Sequence, residues 1–214
     1  MDILEKLFGS ETKIKIMKLF LFNAESFYDI SDIEDKTKSK RSKVLRETRI
    51  LEKIGMIKKR VFYKTIQSEK GNSEVLKKKK TIGYILNSQF RYMVQLQNFL
   101  VNTNPLQNKE ILRKVNSIGK INVLLVAGIF TQDEDSRVDM LVVGDGIKEE
   151  MLKRAVRNIE SVVGRELRYA FFETIDYKYR LNMCDKLIRD ILDCPHEVII
   201  DKLRVSDSSV IHRN

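Results

Sequence analysis

The chain has 214 residues, enough for one large domain or two small ones at roughly 100 to 200 residues per domain. With 43% hydrophobic and 33% charged residues but only nine glycines and two prolines, it is not collagen-like, low-complexity or disordered. The same scarcity of turn residues disfavours a many-stranded β sandwich, so helix should dominate.

The net charge of +10 is unevenly placed: 22 of the 40 basic and 12 of the 30 acidic residues lie in Met1–Asn102, and the remainder carries 18 of each. Such asymmetry points to a basic module that meets a polyanion, joined to a neutral module with another task. The longest apolar stretch, Ile121–Phe130, has ten residues and includes Asn122, short of the ~20 that span a bilayer, so no membrane partner is expected. The acidic start Met1–Phe8 does not read as a secretory signal, and Cys184 and Cys194 make no disulfide framework. A cytoplasmic setting is expected.

In chain order, Ser10 reads as an N-cap for a first helix whose stripe of Ile14, Ile16, Met17, Leu19, Phe20 and Leu21 ends near Asn23. Ile30–Thr37 reads as a short second helix, with Ile30 and Ile33 inward. A third, Lys40–Ile54, is expected to turn Val44, Leu45, Ile50, Leu51 and Ile54 inward and to stop at a left-handed Gly55. Met56–Ile66 has the composition of a strand, and Thr81–Leu86 can pair back onto it. Between them, the polar Gln67–Lys80 contains Gly71-Asn72 and ends in Lys77–Lys80, which predicts a basic hairpin tip.

These residues resemble a known family. Leu7-Phe8-Gly9-Ser10-Glu11-Thr12, then Ile14-Lys15-Ile16-Met17, the step Leu51-Glu52-Lys53-Ile54-Gly55-Met56-Ile57 and the basic hairpin are similar to the winged helix-turn-helix of arsenic-repressor-like prokaryotic transcriptional regulators. The likeness covers residues 1–87, and "LEKIGMIKKR" is its most specific part. It implies a third helix entering the DNA major groove and a wing along the backbone. The candidate DNA-binding residues are then Lys38, Ser39, Lys40, Arg41, Ser42, Lys43, Arg46 and Arg49 on the helix, and Lys77, Lys78, Lys79 and Lys80 on the wing. Arg41, Ser42 and Arg46 are the candidates for base contact, because arginine grips guanine bidentately; the lysines suit phosphates. Lys38-Ser39 stands where a glycine often makes the turn.

Residues 88–107 read as a connector: an amphipathic helix with Phe90, Tyr92, Met93, Leu96, Phe99 and Leu100, then a linker ending near Gln107. The stripe suits a homodimer contact or packing on the next domain equally. In 108–203, a helix over Asn108–Asn116 is followed by strands at Ile121–Ala127 and Val138–Val143 and a helix over Ile147–Val163 with Met151 inward. A strand at Arg168–Glu173 comes next, and the chain is read as helical from Asp176 through Tyr179, Met183 and Leu192. The fold class is therefore α+β, with a small α/β second domain and a polar tail over 204–214.

"LLVAGIFTQDEDSRVDMLVVGD" and "GRELRYAFFETIDYKYRL" resemble the minimal nucleotidyltransferase fold. The resemblance implies a Gly-Ser pair after the first strand and, on the second, two carboxylates one residue apart that hold a metal. Here Gly128 is followed by Ile129, and the first carboxylate position is Arg137, leaving Asp139. A catalytically silent domain follows, serving as a sensor of a small molecule or protein or as a dimerisation scaffold. Gly128, Arg137 and Asp139 would form a vestigial pocket in which Arg137 either pairs with Asp139 or meets a ligand. Asp133, Glu134, Asp135 and Glu173 are the acids that could rebuild a metal site, and Cys184, Cys194, His196 and His212 match no zinc spacing. No catalytic residue, metal or cofactor is assigned. The expected function is a DNA-binding transcriptional regulator; the alternatives are an active Mg²⁺-dependent nucleotidyltransferase and an antitoxin-like module that binds a protein.

Overall fold

The computed structural model describes residues 3–70, 73–101, 108–133 and 135–204, with side chains for all of these except 66–70 and 73–77. They divide into two units, Met1–Val101 and Asn102–Asn214, and make a mixed α+β chain.

In the first unit a short helix, α1 (Ile3–Phe8), precedes α2 (Glu11–Phe22), which Ser10 caps by accepting the Lys13 N–H at 3.3 Å. Sequence periodicity gave no sign of α1. The third helix, α3 (Ile30–Thr37), opens with reciprocal capping: the Asp29 carboxylate accepts from the Asp32 N–H (2.9 Å) and the Asp32 carboxylate from the Asp29 N–H (3.1 Å). Lys38 ends it in the left-handed region (φ 50°, ψ 40°), so the lysine itself takes the conformation that glycine usually supplies. Next comes α4 (Arg41–Lys53), after which Gly55 (φ 80°) reverses the chain.

Two long antiparallel strands, β1 (Ile57–Lys70) and β2 (Ser73–Leu86), form a ribbon in continuous register from Ile57↔Leu86 to Lys70↔Ser73. Tyr28 extends its base by exchanging two backbone hydrogen bonds with Tyr84 (3.0 and 2.8 Å). Ile16, Phe20, Ile33, Val44, Leu51, Met56 and Ile57 are fully buried in one core, which Leu100 of α5 (Met93–Leu100) completes. The connector helix thus belongs to the first unit, while 102–107 lie outside the described residues.

Two expectations for this unit need correction. Ile50 and Ile54 are exposed, because the buried face is built from Val44, Glu47, Thr48 and Leu51. At about 100° per residue, Ile50 lies roughly 100° round from the centre of that face. The lysine run is also not at a tip: Lys77–Lys80 lie within β2, and the ladder runs on past them through Glu69↔Glu74 to Lys70↔Ser73.

In the second unit a four-stranded sheet has the order β5-β4-β3-β6, with β3 (Lys120–Ala127), β4 (Met140–Asp145), β5 (Tyr169–Phe172) and β6 (His196–Asp201). β3 is antiparallel to both neighbours, and β4 and β5 are parallel. One face (Leu124, Val126, Met140, Val142) packs with Ile111 and Val115 of α6 (Asn108–Val115) and Leu152, Val156 and Ile159 of α7 (Glu149–Val163). The other (Val123, Leu125, Leu141, Val143) packs with Tyr177 of α8 (Thr174–Asn182) and Ile188 and Ile191 of α9 (Lys186–Asp193). Cover on both faces explains why these strands read as unbroken apolar runs.

The expected continuous final helix is broken at Met183–Asp185, where Cys184 has φ 52° and Asp185 caps α9 by accepting the Leu187 and Ile188 N–H groups. Cys184, Tyr179 and Met183 are therefore exposed and not part of an inward stripe, and Met151 on α7 is exposed as well. β6 was not anticipated from the sequence. Residues 205–214, the polar tail with His212, lie outside the described residues. Among the described residues no helix is long and apolar enough to cross a membrane.

Candidate nucleic-acid interface and the acids of the second unit

The first turn of α4 carries no acid, and Lys40, Arg41, Ser42 and Lys43 are all exposed there. Lys40 is the N-cap residue and makes no side-chain cap. Ser39 is half-buried and donates through Oγ to the Thr37 carbonyl (3.3 Å), bracing the turn; Lys38 is exposed.

The two arginines expected to read bases are each held by a carboxylate. Arg41 Nη1 pairs with Glu34 Oε2 of α3 at 3.3 Å. Arg46 donates from Nε and Nη2 to Glu47 Oε1 (3.1 and 2.7 Å), and the buried Glu47 also faces Lys13 Nζ at 3.6 Å. Arg49 is exposed near the other end of α4. It partly offsets the rise in the Tyr84 phenol pKa, which burial drives first and the Glu52 charge second.

Along the ribbon Lys78, Lys79 and Lys80 are exposed, whereas the Lys77 side chain lies outside the described ones. In the opposite strand Lys64 Nζ donates to Asp29 Oδ2 at 3.0 Å and to Asp32 Oδ1. Burial works against both charges, but hydrogen bonds from the Asp32 N–H and Lys64 hold the Asp29 carboxyl below its ordinary value. Its two carboxylate partners raise the pKa of Lys64 despite burial. Phe27 stacks on Phe62 with ring centroids 5.5 Å apart, completing the anchor of this face of the ribbon.

In the second unit Asp139 is buried and fully engaged. Oδ1 accepts from the Ile129 N–H (3.1 Å) and Arg168 Nη2 (3.2 Å); Oδ2 accepts from the Arg168 N–H (2.8 Å) and Nε (3.3 Å). Gly128 (φ 55°) lies so close that a Cβ there would stand 2.2 Å from Asp139 Oδ1. Arg137 does not pair with Asp139; its Nε meets Asp190 Oδ2 on α9 at 3.0 Å. The reason is the strand boundary: β4 starts at Met140, so 137 and 139 precede it and need not share a face. Gly128 and Asp139 are thus parts of one brace, and Arg137 belongs to a separate ion pair.

Asp145, at the far end of β4, is also engaged: Thr174 Oγ1 (2.9 Å), the Thr174 N–H (3.2 Å) and Asn122 Nδ2 (3.0 Å) donate to it. These bonds lower its carboxyl pKa, the Thr174 hydroxyl first.

No family model, curated protein or solved structure matches this chain.

Of the other acids considered, Asp133 Oδ1 accepts the Asp135 N–H (3.1 Å), Glu173 is the exposed N-cap of α8, and Glu134 lies outside the described residues. Among the described residues no group of three or more His, Cys, Asp or Glu side chains is placed to hold a metal ion. The Cys194 thiol pKa is raised by burial and then by Asp133, Asp190, Asp193 and Asp135, and His196 Nδ1 lies 2.9 Å from the Cys194 carbonyl. The residues missing from the sequence reading are the partners: Glu34, Glu47, Lys64 and Arg168. Glu34, Lys64 and Arg168 meet partners on other elements, which no local spacing encodes, whereas Glu47 is next in sequence to Arg46 and only its burial was hidden.

Proposed function

We propose that the chain is a DNA-binding transcriptional regulator in which a winged helix-turn-helix is fused to a catalytically silent, nucleotidyltransferase-like unit. The observation that carries this reading is the basic first turn of α4. Cations are disfavoured at the positive end of a helix dipole, yet Lys40, Arg41 and Lys43 stand there exposed, with no acid among the first residues. That arrangement gains when a phosphate docks on the free N–H groups and the side chains together. Arg41, Ser42 and Arg46 then address base edges, and Lys38, Lys40, Lys43, Arg49 and the ribbon lysines the backbone.

A homodimer fits this reading. Phe8 of α1 and Phe99 of α5 are in ring contact (6.2 Å), and the same two helices carry the exposed apolar residues Ile3, Leu7 and Val94. For the second unit, a carboxylate that already accepts four donors is poorly suited to bind Mg²⁺, which supports a scaffold or sensor in place of an enzyme.

Selection of bound sequences from random duplexes at near-physiological salt tests the proposal, with an enriched motif as the expected result. Arg41→Ala and Arg46→Ala should each cost about 1–3 kcal/mol on that motif and much less on random DNA. Equal losses on every sequence would remove base reading, and absence of any enriched motif would remove the regulator.

A further inference from the structure

The ribbon has two unlike faces. Residues paired across an antiparallel ladder share a face and alternate along it. Phe62, Lys64, Lys79 and Thr81 therefore lie on one face; Val61, Tyr63, Thr65, Lys78, Lys80 and Ile82 lie on the other. The first is anchored to the body by the Phe27 stack and by Asp29 and Asp32. The second is open: Val61, Tyr63 and Ile82 are 54%, 68% and 57% exposed, although Val61 and Ile82 face each other directly across the ladder. Toward the base the same side of the ladder continues into Tyr84, which is buried in the core that α4 shares.

The two faces differ in how their lysines are paired, and not through any excess of cations on the open face. Ile57–Ile66 and Lys77–Leu86 contain eight basic residues and no acid. On the anchored face, however, the Lys64 ammonium with its two carboxylates leaves one net negative charge across the ladder from Lys79. Among the described side chains of the open face, Thr65 and Tyr63 stand opposite Lys78 and Lys80.

We infer that the open face of the ribbon, and not the lysine run as a whole, is the surface that lies on the sugar-phosphate backbone of duplex DNA. Tyr63, Val61 and Ile82 cover deoxyribose, Lys78 and Lys80 neutralise phosphates, and Lys79 stands aside. The inference rests on the DNA-binding reading and deepens it. An apolar strip edged by two lysines matches the alternation of sugar and phosphate along a strand, and neither element reads sequence.

Binding of the full chain to a random-sequence duplex, followed by fluorescence anisotropy over a salt series, tests this. Lys78→Gln and Lys80→Gln should each reduce the magnitude of the slope of log K against log salt by about 0.9, the value for one phosphate contact. Tyr63→Ser should weaken binding about tenfold at every salt concentration with the slope unchanged, because it removes apolar burial and no charge. Lys79→Gln should change neither. The variants alter exposed side chains, and their circular dichroism and urea midpoints check that the fold is kept.

A Lys79→Gln slope change as large as that of Lys78→Gln overturns the inference while leaving the DNA reading intact, as does unaltered binding by Tyr63→Ser. Tyr63→Ser that changes oligomeric state but not DNA affinity gives the face to a second copy and overturns it too. Wild-type chain that binds no duplex overturns the DNA reading itself, and this inference with it.

Discussion

Asp29, Asp32 and Glu34 of the first unit and Asp139 of the second use their carboxylates in opposite ways. In Met1–Val101, Glu34 pairs with the exposed Arg41, and Asp29 and Asp32 hold Lys64, so several acids position cations at the surface. In the second unit Asp139, just before β4, is turned inward, where it ties Ile129, two residues past β3, to Arg168, just before β5, through four donors. Charge at these first-unit residues stands near the surface, and charge at Asp139 is enclosed in the fold. Removing an acid should therefore shift affinity in one unit and stability in the other.

The largest expected effect is at Asp139. Asp139→Ala leaves the Ile129 and Arg168 N–H groups without their acceptor inside a closed structure, and should cost about 3–5 kcal/mol. Native-state hydrogen exchange would locate it: amides of β3 and β4 lose protection, while those of α2 and α4 keep theirs. Asp139→Ala with β3 and β4 unchanged would break the comparison. Gly128→Ala comes next. A positive φ combined with a Cβ 2.2 Å from Asp139 Oδ1 should cost about 2 kcal/mol, read as a lower urea midpoint for the second unit.

How much of this could be read in advance follows the same division. Local signals were legible: the Ser10 cap, the span Ile30–Thr37 and the reversal at Gly55 each depend on residues within one turn of one another. The basic start of α4 was legible too, because side chains at a helix N-terminus need no distant partner to be exposed. The ribbon was only half legible. Its outer part is built from Lys, Ser, Glu and Gln, residues of weak strand propensity, so the lysine run read as a loop. Once it lies in a strand, alternation sends Lys78 and Lys79 to opposite faces. Arg168 as the partner of Asp139 was not legible at all: it depends on the parallel register Met140↔Tyr169, set only after α7 has crossed between the strands. β6 was overlooked because Val198, Ile199 and Ile200 follow a helical stripe closely and lack a turn glycine before them.

Tyr177 sharpens the comparison from the interior. Its side chain is fully buried, and its hydroxyl has no hydrogen-bond partner among the described residues. Burial, followed by the charge of Asp201, pushes its pKa up to about 12 from 10.0. The folded chain thus holds the phenol neutral where the unfolded chain would ionise. This contribution is complete below pH 10 and is lost as pH rises through about 12. Tyr177→Phe should raise stability at pH 7 by about 1 kcal/mol, since it removes a buried polar atom with nothing to bond. It should also flatten the alkaline end of the stability profile. A destabilised Tyr177→Phe would show that the hydroxyl is satisfied after all.

The smallest effect on stability, and the sharpest test of what the surface acids do, is Glu34→Gln. The Arg41–Glu34 pair is exposed on both sides, so its loss should change unfolding by less than about 0.5 kcal/mol. Binding should respond more. Without the carboxylate, Arg41 is released and a negative charge beside the path of the phosphates is gone, so affinity for random duplex should rise about threefold at low salt. Affinity for the selected motif should rise less, because Arg41 then has to be ordered by the DNA alone. Anisotropy titrations on both duplexes would measure the ratio directly. A fall in random-duplex affinity would mean that Glu34 supports the helix pair α3–α4 instead of restraining an arginine, and the contrast between the units would fail where it is most exposed.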